Sequence, residues 1–554
     1  MKSIILRFAF VITASMCMFA QAQIPVIRVT TQNNQEPEAI QTMTFVCPNG
    51  QPPNNMNMCP GGGWPTMNFG VETNYVAVTK FELTDPNNSA NSFTRELQSG
   101  QQPDSIRVRG NSTAQQNKKP YRLKFDTRQS FFGKPAARSW VLLADYYDNT
   151  FSLNATAFEL GRRLGLEFTN SFKHVDVYVN GSYKGIYLLT EQLQVNSGRV
   201  DIHRRDGWLV EFDYHAPEPH HITFNTAGGN LSMQARIRDP EVDDNFTVNN
   251  PLVSFVATEV NALFTAMAAP GFPENGYRDL IDLESFAKYV LIQQLMDNFD
   301  FNNKAQSGNP PGSNYAYKDA GKRIHAGPLW DFDLAAGVHP SINFVTHYYT
   351  HEEPVRPKHP FYQRLWDDPV FMAKFKKLWD KHKSDFDDMP RFMDSIAYSL
   401  RDRVQDNFAA YITPPNNPGG FGHYDVKPAN RATYEAEVAK LKDWWTRRMN
   451  FFEQEINKLN IDITKDIDQN AGLSTAHAHQ VKSGKSLIAV KNGFKMNVSK
   501  SASIKITGLN GSVIRTQKFT GGNHAVMLSN LPKGMYMVNV TIDNKKQVLR
   551  IPVW

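Results

Sequence analysis

The sequence predicts an α+β protein in three consecutive regions: a sheet-rich first region, a helix-rich second region and a short all-strand tail. Three observations predict it. Runs of β-branched and aromatic residues alternate with polar ones from Ile24 (IPVIRVTT), Tyr75 (YVAVTKFEL), Ser105 (SIRVRG) and Tyr121 (YRLKF), the signature of half-buried strands. From about Asn249 apolar residues recur instead at helical spacing, in SFVATEVNALFTAMAA, LIDLESFAKYVLIQQLMDNF, FMAKFKKLWDKHKSDF and YEAEVAKLKDWWTRRMNFFEQEINKL. From Leu487 short alternating strands return at the intervals of a small β-sandwich. With 41% of 554 residues hydrophobic and 21% charged, the chain has enough apolar material for a packed core, which excludes wholesale disorder.

Within the sheet-rich region a helix is expected between Thr150 and Leu166, where Leu153, Ala157, Leu160 and Leu164 share a face and Gly165 stops the run. HVDVYVNGSYKGIYLLTEQL follows; Asn180-Gly181 between two alternating runs is a strong hairpin signal, and the second strand ends near Glu191. Residues 461–486 are small and polar and read as a linker before a sandwich at 487–554; His477 and His479 in it read as solvated residues.

The first 22 residues carry two cations, an apolar run and Ala20-Gln21-Ala22, the form of a signal-peptidase site, so export with mature Gln23 is expected. No later stretch is long and apolar enough to span a membrane, so no transmembrane segment is expected after cleavage. Removal leaves Cys47 and Cys59 inside TFVCPNGQPPNNMNMCPGGGWP, a loop over residues 45–65. In an oxidising compartment these two are expected to form a disulfide; a metal site is the alternative, but no histidine lies nearby. The formal charge falls from +6 to +4 when Lys2 and Arg7 leave, too small a surplus for a nucleic-acid binder, so any basic site is local.

The chain has no GxxxxGK[ST], HExxH or GxSxG, and no GxGxxG opening a helix after a strand. Three clusters remain. In IRVRGNSTAQQNKKPYRLKFD, Arg107 and Arg109 share one strand face and Arg122 and Lys124 another, which suits either a phosphate-binding wall or a half-solvated strand. In QQLMDNFDFNN a helix ends near Met296, and Asn298, Asp300, Asn302 and Asn303 follow in a loop where they converge on a ligand or make turns. In AGPLWDFDLAAG, Asp331 and Asp333 stand two apart on an expected short strand, so both carboxylates project to one side; Mg²⁺ or ordinary salt bridging must offset their repulsion.

RGNST with KKPYRLKFD, then WVLLADYYDNT, VYVNGSYKGIYLLTEQL, GWLVEFD, NFD, SNYAYKD and GPLWDFDLAAG resemble, in order, the CotH kinase family of atypical protein kinases. The resemblance spans roughly residues 24–459 and implies a domain over 23–460 with a reduced protein-kinase-like fold that lacks the glycine-rich loop. It implies that Asp300 acts on the acceptor hydroxyl and that Asp331 and Asp333 hold Mg²⁺ bridging the phosphates of ATP, helped by Asn298 or Asn302. Lys124, with Arg109, is expected to neutralise phosphate charge, and Glu191 to pair with that cation or border the nucleotide; either Arg109 or Glu191 serves otherwise as a buttress of the sheet. VAIK, HRD, DFG and APE are missing, so the substrate rules of ordinary kinases do not transfer.

The tail, NLPKGMYMVNVTIDNKKQVLRIPVW, resembles the type A sorting domain of type IX secretion, with an adhesion or carbohydrate-binding sandwich as the alternative. The resemblances imply an exported kinase, secreted or at the cell surface, that uses Mg²⁺ and ATP on Ser or Thr of a secreted or surface protein and engages the type IX machinery. The competing expectation is a noncatalytic surface module, for example within a polysaccharide-degrading assembly.

Overall fold

The computed structural model describes residues 23–46, 66–110, 113–204, 206–213, 221–240, 253–302, 312–340, 345–348, 350–411, 427–469, 487–490, 493–508, 513–528, 530–532, 534–542 and 545–553. The expected signal peptide, Cys47, Cys59 and Asn303 lie outside them. The chain divides into two compact units, Met1–Ile467 and Asp468–Trp554.

The first unit begins with β1 (Val26–Thr31), β2 (Ala39–Val46), β3 (Thr66–Thr73), β4 (Val76–Thr84), β5 (Phe93–Glu96), β6 (Asp104–Val108), β7 (Tyr121–Gln129) and β8 (Ala137–Leu143). Helix α1 (Leu153–Arg163) and the hairpin β9 (Phe172–Val179) and β10 (Ser182–Glu191) follow. Strands pair in the order β1-β9-β10-β8-β7-β6-β4-β5, and β1 also pairs β4, so seven of the eight close into a barrel; β2 and β3 make a separate hairpin. Closure removes the exposed edges that an open sheet of this length would carry. Because strand side chains alternate, Val29, Phe81, Leu123, Trp140, Val177 and Leu189 fill the barrel interior. On the outer wall Val141, Leu143, Ile186 and Leu188 pack into a second core shared with the helices.

Local chemistry accounts for the joints. Asn180 (φ 49°) and Gly181 (φ 78°) both take the left-handed conformation that a two-residue hairpin turn demands. Helix α1 stops at Gly165 (φ 67°), where the amide of Leu166 donates to the Gly161 carbonyl (2.9 Å) and satisfies the last turn.

The chain continues through β11 (Trp208–Phe212), β12 (Thr223–Asn225), β13 (Gln234–Asp239), α2 (Ser254–Ala268), α3 (Leu283–Leu295), α4 (Phe299–Asn302), β14 (Asn314–Lys318) and β15 (Ile324–Ala326). The helix-rich reading of this region needs a correction: β14 and β15, which follow α3, join the earlier strands in a five-stranded sheet ordered β12-β13-β11-β14-β15. Both faces of β14 are covered, so its sequence NYAYK lacks the alternation that marks a half-exposed strand. A short pair, β16 (His339–Pro340) with β17 (Val345–Thr346), precedes helices α5 (Pro360–Trp366), α6 (Pro369–Asp387), α7 (Met389–Leu400), α8 (Val404–Tyr411) and α9 (Arg431–Lys458). Asn430 caps α9 by accepting from the Thr433 amide (3.0 Å), and Thr433 answers by accepting from the Asn430 amide (3.0 Å). Beyond α9, Asp466 pairs with Lys374 (2.8 Å) and Lys377 (3.2 Å) of α6, which holds the start of the expected linker to the first unit.

In the second unit β18 (Leu487–Val490), β19 (Gly493–Gly508), β20 (Val513–Met527), β21 (Gly534–Ile542) and β22 (Lys545–Val553) form one five-stranded sheet, not two separate ones. The stretches GSVIRTQKF and NHAVMLSNL, each of which alternates like a short strand of its own, are joined in β20, which passes Gly522 (φ 130°) opposite Val498, beside a register shift in β19. The bulge interrupts the alternation and makes one strand look like two. Phe494, Met496, Ile504, Ile506, Val538 and Val540 form its core. Among the described residues no helix is long and apolar enough to cross a membrane.

Arg448 of α9 is fully buried and donates to the carbonyls of Gln294 (2.6 Å), His351 (2.9 Å) and Glu353 (2.5 Å). It thereby ties the C-terminal end of α3 to α9. Arg448→Met should lower the unfolding free energy of the first unit by about 3–5 kcal/mol, because three buried carbonyls lose a charged donor; urea unfolding of the two proteins at one pH measures it. A loss below about 1 kcal/mol would show that α3 is held by its apolar face alone.

Candidate active site

Three chain segments meet where the barrel ends and the helices begin. The first is the loop after β8, residues 144–152, reading ADYYDNTFS. Asp148 there accepts from the Thr150 amide (2.7 Å), the Thr150 hydroxyl (2.6 Å) and the Leu153 amide (2.7 Å), so it shapes the turn that launches α1. Asp145, in the left-handed region (φ 46°) and buried, accepts from the Asn154 side-chain amide (2.9 Å).

The second segment is the end of α3. After Met296 the chain turns through Asp297 (φ 46°) and makes the single helical turn α4, so Asp300 and Asn302 stand on a tight turn where an open loop was expected. Asn298 brackets this turn: its carbonyl oxygen accepts from the Asp300 amide (3.1 Å), and its NH₂ donates to Gln293 Oε1 (3.0 Å) and to the Asp331 carbonyl (3.3 Å). Asn302 and Gln294 exchange two amide hydrogen bonds (2.7 and 3.2 Å) deep in the core. Both asparagines therefore have structural partners, and neither amide points at open solvent.

The third segment carries WDFD. The expected short strand is absent: Asp331 lies in the left-handed region (φ 65°), and residues 327–338 run as an irregular loop. The loop is pinned from both sides instead. Phe332 donates its amide to Asn154 Oδ1 (2.9 Å), the Phe299 amide donates to the Leu334 carbonyl (2.9 Å), and the Ala336 amide to the Met296 carbonyl (2.6 Å). Ser313 donates its hydroxyl to Asp331 Oδ2 (2.9 Å). Asp300 and Asp333 are each 7% exposed, so little water reaches either carboxylate.

The electrostatics follow from this crowding. Burial, then the charges of Asp331, Asp300, Asp145 and Asp148, push the Asp333 carboxyl well above the usual range. Burial and Asp148 push Asp145 up to about 7. Among the described residues no three His, Cys, Asp or Glu side chains converge closely enough to cage a metal unaided. Mg²⁺ commonly keeps several waters and takes only one or two carboxylates alongside phosphate oxygens, so the aspartate pair fits that ion without such a cage.

The other expected residues are placed as follows. Arg109 reaches this region, its guanidinium 5.3 Å from the Trp330 ring centroid. Lys124 does not; it is exposed on the outer barrel wall with its ammonium 5.6 Å from the Tyr75 ring. Glu191 accepts from the amide (2.8 Å) and hydroxyl (2.5 Å) of Ser171, so it ties the end of β10 to the turn before β9. Sequence reasoning assigned no role to Lys118, Asp145 or Asn154, although KKPYRLKF and WVLLADYYDNT contain two of them. Lys118 is 2% exposed, donates to the Ile186 carbonyl (2.5 Å), and lies 4.8, 4.9 and 6.0 Å from the ring centroids of Phe151, Tyr187 and Tyr411. Its cationic charge opposes that of Asp145. Alternation patterns do not single it out, because it precedes a strand and lies on no periodic face.

The CotH kinase protein family model matches residues 106–452, an interval that contains every segment of this site. The chain belongs to the CotH kinase protein family. A secretion system C-terminal sorting domain model matches residues 488–553, the strands of the second unit. This CotH protein is thus exported, to the cell surface or the medium, by a route that reads its C-terminal domain. No curated protein matches it.

Burial lowers the pKa of Lys118 from 10.5 to about 7, against the raising charge of Asp145. A lysine whose pKa is depressed on folding contributes stability that is complete above about 10.5 and is lost as pH falls through about 7. The stability of the native protein relative to Lys118→Met should therefore fall as pH is lowered from 10 to about 7. Denaturant unfolding of both proteins across that range measures it; a difference independent of pH would contradict a buried, depressed lysine.

Proposed function

We propose that this CotH protein is an exported Mg²⁺- and ATP-dependent kinase that phosphorylates Ser or Thr of a secreted or surface protein. The observation that carries the reading is the Asn298 bracket: one amide fixes the Asp300 turn and the Asp331 loop to each other, in a chain whose family is named for kinase activity. A binding module has no need to hold buried acids together against their repulsion. In this reading Asp300 accepts the proton of the attacking hydroxyl. Asp331 and Asp333 would hold Mg²⁺, which when bound supplies positive charge to the phosphates. Of the two cations expected at the phosphates, Arg109 is the one that stands beside the WDFD loop, and it takes that role here. Asn298 and Asn302 act by positioning.

Asp300→Asn should reduce transfer from labelled ATP by about 100-fold or more while leaving the thermal unfolding midpoint near that of the native protein. Transfer at the native rate would remove Asp300 from the mechanism. If the native chain transfers no label and ATP with Mg²⁺ does not raise its unfolding temperature, the noncatalytic surface module is the better reading.

The second unit contributes no residue to this chemistry in the proposal and serves delivery. Deleting Leu487–Trp554 should leave ATP-dependent stabilisation of the first unit unchanged and retain the protein in the periplasm of a host with type IX secretion. Arrival of the truncated protein in the medium would show that the tail is not its sorting signal.

A further inference from the structure

Strands β6 and β7 carry a band of cations on the outer wall of the barrel that takes no part in the chemistry proposed above. Side chains alternate, so Ile106, Val108, Leu123 and Phe125 fill the interior while Arg107, Arg122 and Lys124 point outward. Arg107 and Arg122 are direct cross-strand partners, and like charges in that position destabilise a sheet. The wall itself does little to offset them. Among the described residues no carboxylate forms an ion pair with Arg107 or Lys124. Arg107 donates to the Thr73 hydroxyl (2.6 Å), but its Nε is buried with no hydrogen-bond partner. The exposed ring of Tyr75 lies 5.2 Å from the Arg107 guanidinium and 5.6 Å from the Lys124 ammonium, so it gathers both cations at the surface. Arg122 donates to Ser139 Oγ (3.4 Å), and Arg199 brings a further guanidinium to the Ser139 carbonyl (2.6 Å); Glu191 answers part of the Arg199 charge.

The band has a direction. Arg109 follows Arg107 by two residues, and its guanidinium stands 5.3 Å from the ring centroid of Trp330, the residue before Asp331. Two residues of extended chain advance only about 7 Å. A segment of protein lying along the cations of the wall is therefore led to the WDFD loop. We propose that Arg107, Arg122 and Lys124, with Tyr75, form a docking surface for an acidic segment of a protein partner, and that this partner is the acceptor whose Ser or Thr is phosphorylated. The acceptor role rests on the kinase reading; the docking surface does not. Charge complementarity chooses the occupant, since the whole chain carries only +6 over 554 residues and this band is a local concentration of charge that selects acidic partners against basic ones. An anionic polysaccharide would meet the same charges, but the run toward Trp330 favours a molecule that must also reach the site.

The test uses the full mature chain and, as probe, a fluorescein-labelled oligoglutamate peptide that carries one serine, with its glutamine counterpart as control. In fluorescence anisotropy without nucleotide, the native chain should bind the glutamate peptide about tenfold or more tighter than the glutamine peptide, and less tightly as salt is raised. Arg107→Gln combined with Lys124→Gln should lose about tenfold or more of that affinity, whereas Arg107→Lys alone should keep most of it; matching thermal unfolding midpoints show that the wall is intact. Equal binding of the two peptides, or native affinity in the double variant, overturns the proposal. Binding of polygalacturonate but not of the glutamate peptide overturns it in favour of an anionic polysaccharide. With labelled ATP and Mg²⁺, Arg107→Gln should raise KM for the glutamate peptide about tenfold at unchanged kcat and leave transfer to the glutamine peptide at the native rate. A fall in kcat on both peptides overturns the docking role and places Arg107 in the reaction itself. Labelling of the glutamine peptide as readily as the glutamate peptide overturns the acceptor role and leaves the kinase reading standing. If the native chain labels neither peptide and ATP with Mg²⁺ does not stabilise it, the kinase reading falls with the acceptor role, and binding lost in the double variant supports the docking surface alone.

Discussion

Burying several negative charges in one seam is the constraint around which this CotH protein is built. Carboxylates in a poorly hydrated interior repel one another and resist ionisation, and a chain left to itself would separate them. Here Asp145, Asp300, Asp331 and Asp333 come from three segments far apart in sequence and still share one region. Something must hold them there, and hydrophobic packing alone is non-directional. Two asparagine side chains supply the direction. Asn154 joins the loop after β8 to the WDFD loop, and Asn298 joins the end of α3 to the same loop. Each is neutral, so each can bridge acidic segments without adding to their charge.

The larger architecture exists to place those asparagines. The closed barrel gives the loop after β8 a rigid origin, since Trp140 and Leu142 point into the barrel while Val141 and Leu143 point into the helical core. Helix α3 passes through that core with nearly every side chain buried, and Arg448 of α9 satisfies a carbonyl at its end. A helix covered on all sides can deliver a turn such as residues 297–302 with little freedom. Left-handed backbone at Asp145, Asp297 and Asp331 recurs at the three places where the chain must reverse close to the site. Aspartate tolerates that conformation better than most side chains, so the same residue type meets both the conformational and the chemical requirement.

Cations are distributed differently from what linear charge patterns suggest. Arg107 and Arg122 lie directly opposite each other on β6 and β7, with Lys124 further along the same outer wall, and only Arg109 continues to the WDFD loop. Lys118 carries charge opposite to that of Asp145, and it sits in a box of aromatic rings instead of on a strand. A strand position is read from alternation; a buried loop lysine has no alternation to read.

The sequence by itself determined what depends on neighbours along the chain: the barrel strands, helix α1 with its Gly165 stop, the Asn180-Gly181 turn, the helices after residue 249, and the ordered motifs that mark the family. It also singled out Asp300, Asp331 and Asp333, because motif spacing survives without coordinates. Tertiary structure alone decided that β14 and β15 return to the earlier sheet, that WDFD is a pinned loop and not a strand, and that Asn154 ties Asp145 to that loop. The physical reason is the same in each case. β14 is covered on both faces, the WDFD backbone takes its shape from the distant amides of Asn154 and Asn298, and the Asp145 carboxylate reaches that loop through the Asn154 side chain. Periodicity records which face of an element is buried, but not which remote side chain completes its hydrogen bonds.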